Sequence, residues 1–533
     1  FVSEFQAFDK KGKALKVSKT GTNSWTISKA NKMVKVSYWI EDTFHSSLEG
    51  PDIFEPAGTN IEADTNFVIN SSGFFGYFES MKELEYNVEI VRPDNFYGST
   101  GLIPVSTNSE LSGAFSMENR TFEDNSRLDH FRTSRYDDLV DSPIMYCEPD
   151  TVVMNVGGAT VLVSSYSPNQ AVSAQEIAGN IEEILMAQKN YLGGTLPVDK
   201  YAFIFYFTDQ PVLSYGALEH SYSSFYYMPE MPIDEMRQQL RDFAAHEFFH
   251  IVTPLNIHSE EIGKFDFNDP KMSKHLWLYE GMTEYFAGNA QVKNGLIGVD
   301  QYIDIIRTKM LQSQGFNDTL PFTELSLGAL DLHADQYYNV YLKGALIGMC
   351  LDIKLRDLSD GAYGTQDLLA DLSKEYGKDK SFEDDALFDK ITELTYPEVR
   401  AFFTNYVEGN LPLPYQETFA KVGINFESEG VYLDYSLGLT QANIGIDMES
   451  GKLFVQNEES LDEQGKALQL KDGDIILKIN GDNMPQLGPD LQNFIIDVLT
   501  SMGEKETYSM TVLRENEAGE AEEVVLSTTP ILV

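Results

Sequence analysis

The stretch RDFAAHEFFH, residues 241–250, decides the fold predicted for this chain because it contains the motif H-E-x-x-H. On a helix, residues four apart lie on the same face, so His246 and His250 can point at one metal ion with Glu247 beside them. The residues before the motif support a helix, since a proline suits the first turn and apolar residues recur at helical spacing: Pro232, Met236, Leu240, Phe243 and Ala244. The pattern favours a metal-binding helix over one whose histidines are only packed or exposed.

A third metal ligand is expected downstream of this motif. Zinc in a hydrolase usually takes three protein ligands and leaves the fourth position to water. Residues 276–285, LWLYEGMTEY, predict a second helix that carries Glu280 and Glu284 on one face. Glu280 is the predicted ligand. Glu284, one turn later, is placed to accept the spare ring N–H of a ligating histidine.

Length and charge exclude some classes of protein. A chain of 533 residues is too long for one ordinary core, so two to four domains are expected. A formal charge of −44 repels a phosphate backbone, so no nucleic-acid partner is expected. Eight lysines nevertheless cluster near the N-terminus, and they are interpreted as a solvated edge rather than a binding patch: Lys10, Lys11, Lys13, Lys16, Lys19, Lys29, Lys32 and Lys35.

Cellular location is only weakly indicated. No apolar run reaches the roughly 18 to 20 residues that cross a bilayer, so no membrane span is expected. Cys147 and Cys350 are too few for a disulfide framework. The sequence begins at Phe1 without a methionine, which is compatible with a removed signal segment or a trimmed end. We expect an exported protein, periplasmic or at the cell surface, and leave a cytoplasmic location open.

Residues 1–168 predict an N-terminal β-sandwich-like domain. Residues 34–40, 66–78 and 151–165 are rich in β-forming residues, and the last of these segments is broken into two strands at Gly157 and Gly158. Turns rich in Gly, Asn and Pro separate the segments. This domain is interpreted as structural, without chemistry of its own.

Residues 169–430 predict a mostly α-helical catalytic domain. Helical spacing over 174–190 is followed by a continuous apolar run at 201–207, which predicts a buried strand. The edge segment 216–220, GALEH, could present backbone groups and the Glu219 carboxylate to a substrate, although an ordinary loop is the default interpretation. Tyr341 opens a predicted helix, where a tyrosine is most often a packing residue. His258 and His275 are expected to be ordinary surface histidines.

Residues 431–533 predict a separate C-terminal domain of strands with one helix. Strands are expected at 474–479, 508–514 and 522–528, with an Asn-Gly hairpin turn after the first and a short helix at 491–499. The segment resembles a PDZ domain, which implies that the backbone N–H groups of a loop receive the terminal carboxylate of a peptide ligand. That loop is Leu437, Gly438 and Leu439. Packing on the catalytic part and self-association are the other uses left open.

Taken together, these segments resemble metallopeptidase family 61, the glycyl aminopeptidase-like gluzincins with a thermolysin-like catalytic domain and a C-terminal PDZ domain. The resemblance rests on the segments 141–144 (DSPI), 216–220, 246–250, 276–285 and 341–344 (YLKG) and on the PDZ-like tail. It implies the following roles: zinc ligands His246, His250 and Glu280, general base Glu247, oxyanion donor Tyr341, and Glu219 as the group that holds the substrate amine. Ala217 replaces the second glycine usual after Gly216, and Ile251 to His258 lacks the Trp and the basic residues common there.

The sequence therefore predicts a multidomain α+β zinc peptidase that binds one Zn2+ per chain and acts on peptide substrates. The family resemblance suggests an aminopeptidase that removes small N-terminal residues such as Gly or Ala. A zinc endopeptidase that uses the same metal site is one alternative. The other is a catalytically idle scaffold that acts through its PDZ domain.

Overall fold

The computed structural model describes residues 2–44, 53–105, 120–121, 126–212, 215–430, 434–446, 452–485, 489–516 and 520–533. The chain forms two compact units, Phe1–Phe426 and Glu427–Val533. The architecture is multidomain α+β, with a β-rich N-terminal part, a helical middle and a C-terminal sheet. None of the described helices combines the length and the apolarity that crossing a bilayer requires. The domain boundaries at 168 and 431 stay predictions.

The N-terminal part is built from several small antiparallel sheets. Their strands, before residue 148, are β1 (Val2–Asp9), β2 (Val17–Lys19), β3 (Trp25–Ile27), β4 (Met33–Ile40), β5 (Asn60–Glu62), β6 (Asn66–Ile69), β7 (Tyr86–Pro93), β8 (Tyr97–Thr100), β9 (Arg120–Thr121), β10 (Ser126–Thr133) and β11 (Ile144–Cys147). The pairings are β1 with β4, β2 with β3, β7-β10-β9, and β5-β6-β11-β8. Two short helices, α1 (Ser71–Phe74) and α2 (Tyr136–Val140), lie between strands.

A five-stranded mixed sheet follows. Its strands are β12 (Thr151–Val156), β13 (Ala159–Tyr166), β14 (Lys200–Thr208), β15 (Gly216–His220) and β16 (Ser223–Pro229), in the order β12-β13-β14-β16-β15. The three inner strands run parallel, and the edge strands β12 and β15 are antiparallel to their neighbours. The predicted boundary at residue 168 falls after β13, so this sheet contains strands from both sides of it.

Strand β14 joins the two halves of this unit because it is buried along its whole length. Tyr201, Phe203, Phe205 and Phe207 pack into the helical core. The alternate residues Ala202, Ile204 and Tyr206 pack with Val68, Met145 and Cys147 of the N-terminal strands. A strand that is covered on both faces consists of a continuous run of apolar residues, and this run predicted the buried strand β14 from the sequence.

The helical part lies on the other face of that sheet. Its helices are α3 (Ala174–Tyr191), α4 (Ile233–Phe249), α5 (Glu260–Gly263), α6 (Met282–Lys293), α7 (Val299–Ser313), α8 (Phe322–Gly328), α9 (Asn339–Leu358), α10 (Thr365–Glu375), α11 (Leu387–Leu394), α12 (Pro397–Tyr406) and α13 (Tyr415–Lys421). A π-helical turn, Trp277–Gly281, leads directly into α6. The side chain of Ser173 caps α3 in a capping box with Glu176.

The close approach of α9 to this π-helical turn depends on two glycines. A Cβ added at Gly281 would lie 2.4 Å from the carbonyl carbon of Gly344, and one added at Gly344 would lie 2.7 Å from the Cα of Gly281. Both distances are far inside van der Waals contact, so larger residues would push the two segments apart. The glycine pair therefore sets the separation between Glu280, beside Gly281, and Tyr341, three residues before Gly344.

The C-terminal unit has its own sheet and core. Its strands are β17 (Ile444–Ile446), β18 (Leu453–Val455), β19 (Ile475–Ile479), β20 (Asp482–Asn483), β21 (Tyr508–Glu515) and β22 (Ala521–Thr528), and its helices are α14 (Glu463–Leu468) and α15 (Pro489–Ser501). The sheet order is β17-β18-β19-β21-β22, with β20 paired to β19. The predicted hairpin turn after β19 is present, with positive φ at Asn480 and Gly481 as a type I′ turn requires.

Candidate metal centre

The C-terminal end of α4 brings the two histidines of the motif together. His246 and Glu247 lie in its last turn, and His250 follows directly as the helix C-cap. Because the spacing is four residues, both imidazoles lie on one face, with ring centroids 4.9 Å apart. All three side chains are buried.

Glu280 reaches these histidines from the π-helical turn. Its Oε2 lies 3.2 Å from the Nε2 of His246 and 3.6 Å from the Nε2 of His250. Zinc bonds of about 2.0 to 2.1 Å in a tetrahedral arrangement separate neighbouring ligand atoms by about 3.3 Å. The two distances to Glu280 therefore suit one zinc ion, and the donor atoms of all three residues lie within 4.8 Å of one another.

The other ring nitrogen of each histidine has a fixed partner. The Nδ1 of His250 lies 2.9 Å from the carbonyl oxygen of Thr253, which can only accept, so this nitrogen carries the proton. The Nδ1 of His246 lies 2.8 Å from Glu284 Oε2, the position predicted from the sequence. In the neutral, metal-binding form of each histidine, a proton on Nδ1 leaves the Nε2 lone pair on the side of Glu280. Backbone or carboxylate partners of this kind orient ligating histidines in metal sites.

The charges around the site also suit a cation. Burial lowers the pKa of His246, but the carboxylates of Glu280 and Glu284 outweigh it and raise that pKa well above its ordinary value. Burial would raise the pKa of Glu284, yet Lys309 and His246 hold it below its ordinary value. The negative charge of Glu280 and Glu284 thus stabilises a positive charge in the buried cluster, either a protonated His246 or a metal ion. The donor set of two imidazoles and one carboxylate fits zinc, which carries that charge itself.

Glu284 gives the first testable prediction. Replacing Glu284 by Ala removes the acceptor on His246 Nδ1, and the loss of such a partner typically weakens metal binding by about 10- to 100-fold. We expect that loss in a competition titration of zinc against a chromophoric chelator. The control is Glu235→Ala, an exposed glutamate in the first turn of α4, the helix that carries His246. Equal zinc affinity in the Glu284 variant and the control would contradict the prediction.

Two further glutamates stand beside the candidate ligands. Carboxylate oxygens of Glu219 and Glu247 and a ring nitrogen of His250 all lie within 4.8 Å of one another. Glu247 Oε2 is buried and has no hydrogen-bond partner among the described residues. Burial raises the pKa of Glu247 well above its ordinary value, and it raises that of Glu219 as well. Glu247 therefore presents a proton acceptor of raised basicity to the space next to the donor set.

Tyr341 borders the same space from the start of α9. Its ring centroid is 5.6 Å from that of His246, and its hydroxyl lies 3.2 Å from the hydroxyl of Tyr337. Burial, reinforced by the nearby charge of Glu280, raises the pKa of Tyr341 well above its ordinary value. The phenol is therefore protonated at neutral pH and can donate a hydrogen bond.

Strand β15 carries Glu219 to the site along the edge of the sheet. Gly216 and Ala217 pair with Tyr227 and Tyr226 of β16 in the same strand. The segment that the sequence treated as a loop by default is therefore ordered as a strand. Its position fixes the direction from which Glu219 approaches His250.

Asp141, from the turn after α2, holds the far end of that strand. Its Oδ1 lies 3.0 Å from His220 Nδ1, and its Oδ2 accepts the backbone N–H of Ser221 at 2.8 Å. The sequence singled out residues 141–144 only as a resemblance motif. No local pattern could have predicted that Asp141 contacts a strand almost 80 residues later.

Two histidines lie differently from expectation. His258 and His275 were predicted at the surface, and this is wrong, since both are buried. His258 Nδ1 donates to the carbonyl oxygen of Pro254 at 2.8 Å, while His275 lies between the indole N–H of Trp277 and the carbonyl oxygen of Asp384. Each ring has backbone or indole partners inside the core, so its burial costs little.

In the C-terminal unit, the loop predicted to receive a peptide carboxylate is tightly held. The backbone N–H of Gly438 donates to the Ser436 hydroxyl at 2.9 Å, and the carbonyl oxygen of Leu437 accepts from Tyr508 at 3.0 Å. Gly438 has a φ of +87° and lies against Gly465 of α14, where a Cβ would clash. A ligand carboxylate would therefore have to use the N–H groups of Leu437 and Leu439.

Two imidazoles and one carboxylate, with a buried glutamate beside them, fit the zinc site of a metallopeptidase. The chain matches peptidase family M61 in two parts: the M61 N-terminal domain over residues 1–148, and the M61 glycyl aminopeptidase domain over residues 239–347. The family predicted from the sequence is thereby confirmed. No curated protein matched the chain.

Solved structures share this fold at low sequence identity. The aminopeptidase N family protein of Idiomarina loihiensis has a TM-score of 0.66 and 18% identity, over 99% of this chain and 88% of that one. A two-domain M1 zinc metallopeptidase, solved as a mutant bound to L-tryptophan, has a TM-score of 0.50 and 14% identity, over 78% of this chain and 86% of that one. At such identities the likeness extends to the fold alone.

Proposed function

We propose that this protein is a zinc aminopeptidase that removes small N-terminal residues, such as Gly or Ala, from peptides. The observation that carries the proposal is the position of Glu219. Its carboxylate lies within 4.8 Å of Glu247 and His250 but does not belong to the donor set of His246, His250 and Glu280. A spare carboxylate at that place suits the free α-ammonium group of a substrate whose N-terminus ends there.

His246, His250 and Glu280 would hold one Zn2+ per chain. Zinc, when bound, polarises the scissile carbonyl and lowers the pKa of water. Glu247 takes a proton from the attacking water at its unpartnered Oε2 and delivers it to the leaving amine as the peptide C–N bond breaks. Tyr341 donates its phenolic proton in a hydrogen bond to the oxyanion. Glu219 accepts hydrogen bonds from the substrate ammonium group and so orients the peptide.

The family resemblance and the element order support two finer assignments. The sheet, the H-E-x-x-H helix and the following helices suit a thermolysin-like catalytic domain. In the C-terminal unit, the Leu437–Leu439 loop is followed by β17 at one edge of the sheet, with α15 later in the unit, which is the element order of a PDZ domain. A peptide ligand would extend the sheet along β17.

A peptide ladder analysed by mass spectrometry tests the aminopeptidase proposal. Unblocked peptides that begin with Gly or Ala should lose one residue at a time from the N-terminus, and N-acetylated versions of the same peptides should stay intact. Internal cleavage with intact N-termini would favour the endopeptidase alternative and contradict the proposal.

Tyr341→Phe tests the oxyanion role. Losing one donor of this kind typically costs about 3 kcal/mol of transition-state stabilisation, so we expect kcat to fall by about 10²- to 10³-fold with little change in KM. Steady-state kinetics on an alanyl or glycyl substrate measure both constants. The matched control is Tyr338→Phe, which removes the hydroxyl of a mostly exposed tyrosine one turn earlier. A fall in kcat of less than about threefold would remove Tyr341 from the mechanism.

Asp141→Ala tests whether the N-terminal part positions the amine-binding glutamate. The substitution removes two hydrogen bonds that hold the end of β15, so we expect KM for free-amine substrates to rise by roughly tenfold while kcat changes little. The control is Asp138→Ala, which removes a neighbouring carboxylate that contacts Ser134 rather than β15. Equal KM values for the two variants would show that this contact does not affect substrate binding.

A further inference from the structure

The first 40 residues have the opposite charge to the rest of the chain. They contain eight lysines and two acidic residues, a net charge of +6. The remaining 493 residues contain 31 basic and 81 acidic residues, a net charge of −50. The N-terminal segment is therefore positively charged, although the chain as a whole is strongly acidic.

The fold brings seven of these eight lysines together in two adjacent segments, which we call the lysine face: Lys10, Lys11, Lys13, Lys16, Lys29, Lys32 and Lys35. Asp9 pairs with Met33, and Phe8 pairs with Lys35, across the β1–β4 ladder. The turn after β1 closes through a bond from the N–H of Asp9 to the carbonyl oxygen of Lys13, and the N–H of Ser28 donates to Lys16. The β1 turn and residues 28–35 are thus adjacent, although they are far apart in sequence.

The lysine face is open to solvent, and its ammonium groups are unpaired among the described residues. All of its lysines are exposed. Throughout the described ranges, none of their ammonium groups forms an ion pair with a carboxylate. Asp9, at the end of β1, accepts the backbone N–H groups of Lys11 and Lys13. The positive charge is therefore available to a partner.

An aromatic residue stands on the same surface. Lys35 and Trp39 lie four residues apart on β4, so their side chains project from the same side of the strand. Trp39 is 66% exposed, whereas Tyr38, on the opposite side, stacks on Phe5. A purely solvated edge does not require an exposed indole, so Trp39 favours a binding surface here.

We infer that the lysine face docks the protein on the surface of an anionic phospholipid bilayer. Lysines close to such a surface attract it strongly within a Debye length of about 8 to 10 Å, so the distant acidic surface of the chain is screened. Tryptophan prefers the interface between headgroups and acyl chains. The basic residues of residues 1–40 are all lysine, and lysine lacks the planar fork with which arginine pairs individual phosphates or carboxylates. The composition therefore suits a diffuse charged surface better than a specific acidic protein.

Vesicle partition of the full chain tests this inference. At about 0.1 M salt, where the Debye length is about 10 Å, the protein should co-sediment with vesicles of equal parts phosphatidylglycerol and phosphatidylcholine, and not with pure phosphatidylcholine vesicles. The triple variant Lys11→Gln, Lys13→Gln, Lys32→Gln should partition on the order of 100-fold less. The matched control, Lys271→Gln, Lys380→Gln, Lys421→Gln, changes three exposed lysines elsewhere in the same unit and should partition like the unaltered protein.

Fluorescence provides an independent readout. The chain has three tryptophans: Trp277 is fully buried, Trp25 is partly buried and stacks on Phe5, and Trp39 is 66% exposed. Anionic vesicles should shift the emission to the blue, and Trp39→Phe should abolish that shift. The inference is overturned if the protein does not bind anionic vesicles, or if the lysine triple variant binds as well as its control. It is also overturned if the triple variant changes only self-association in sedimentation, since the face would then be an interface between copies.

Discussion

Replacing Glu247 by Gln is expected to lower peptide hydrolysis by about 10²- to 10⁴-fold, the usual contribution of a general base, without loss of zinc. The amide has nearly the same shape as the carboxylate but cannot take a proton from water. Glu247 Oε2 has no hydrogen-bond partner to lose among the described residues, so the fold should be maintained. The measurement is kcat/KM on a glycyl or alanyl peptide, together with zinc content.

The control for Glu247 is Glu235→Gln, in the exposed first turn of the same helix. It should retain full activity. If Glu247→Gln hydrolyses peptides as fast as the unaltered protein, Glu247 is not the base. An equally unchanged biological effect of the variant would favour the scaffold alternative, in which the metal site is idle.

Removing Glu280 is expected to have the second large effect. Glu280→Ala leaves two imidazoles where a zinc hydrolase has three protein ligands, so zinc affinity should fall by more than the roughly 10- to 100-fold expected for Glu284→Ala. Hydrolysis should fall with it and should recover in part at high zinc concentration. Chelator competition and zinc-dependent kinetics measure the two effects.

The comparison with Glu284→Ala separates a ligand from a partner of a ligand. Glu280 Oε2 faces both histidine Nε2 atoms, whereas Glu284, which also pairs with Lys309, contacts the two histidines only at the Nδ1 of His246. Similar zinc affinities for the two variants would contradict that division. Glu260→Ala, an exposed glutamate in α5, serves as the control for loss of negative charge alone.

The sequence predicted those parts of the site that depend on periodicity. A spacing of four residues placed His246 and His250 on one helix face, and a continuous apolar run predicted the buried strand β14. Gly216 to Glu219 could be interpreted only through the family resemblance. Its local pattern is equally compatible with a loop, and pairing with β16 makes it a strand.

Features that depend on distant partners were not predictable. The helix expected at 276–285 begins as a π-helical turn, Trp277–Gly281, whose last residue lies against Gly344 of the distant helix α9. Asp141 and the Thr253 carbonyl group act on residues that no short-range pattern links to them. The burial of His258 and His275 was not predicted because the sequence around a lone histidine does not reveal its hydrogen-bond partners in the core.

The contact of Asp141 with the end of β15 links the N-terminal part to the candidate site. The sequence suggested a structural domain without chemistry. Its strands instead cover one face of β14, and its Asp141 holds the strand that carries Glu219. We therefore expect the N-terminal part to affect substrate binding, which the KM of the Asp141 variant measures.

X-ray absorption at the zinc edge tests the central claim most directly. For the zinc-loaded protein, we predict a first shell of nitrogen and oxygen at about 2.0 to 2.1 Å, with outer scattering from two imidazoles. Glu280→Ala should alter that shell and His246→Ala should remove one imidazole contribution. A sulfur neighbour at about 2.3 Å, a spectrum with no imidazole, or a protein that binds no zinc would contradict the account.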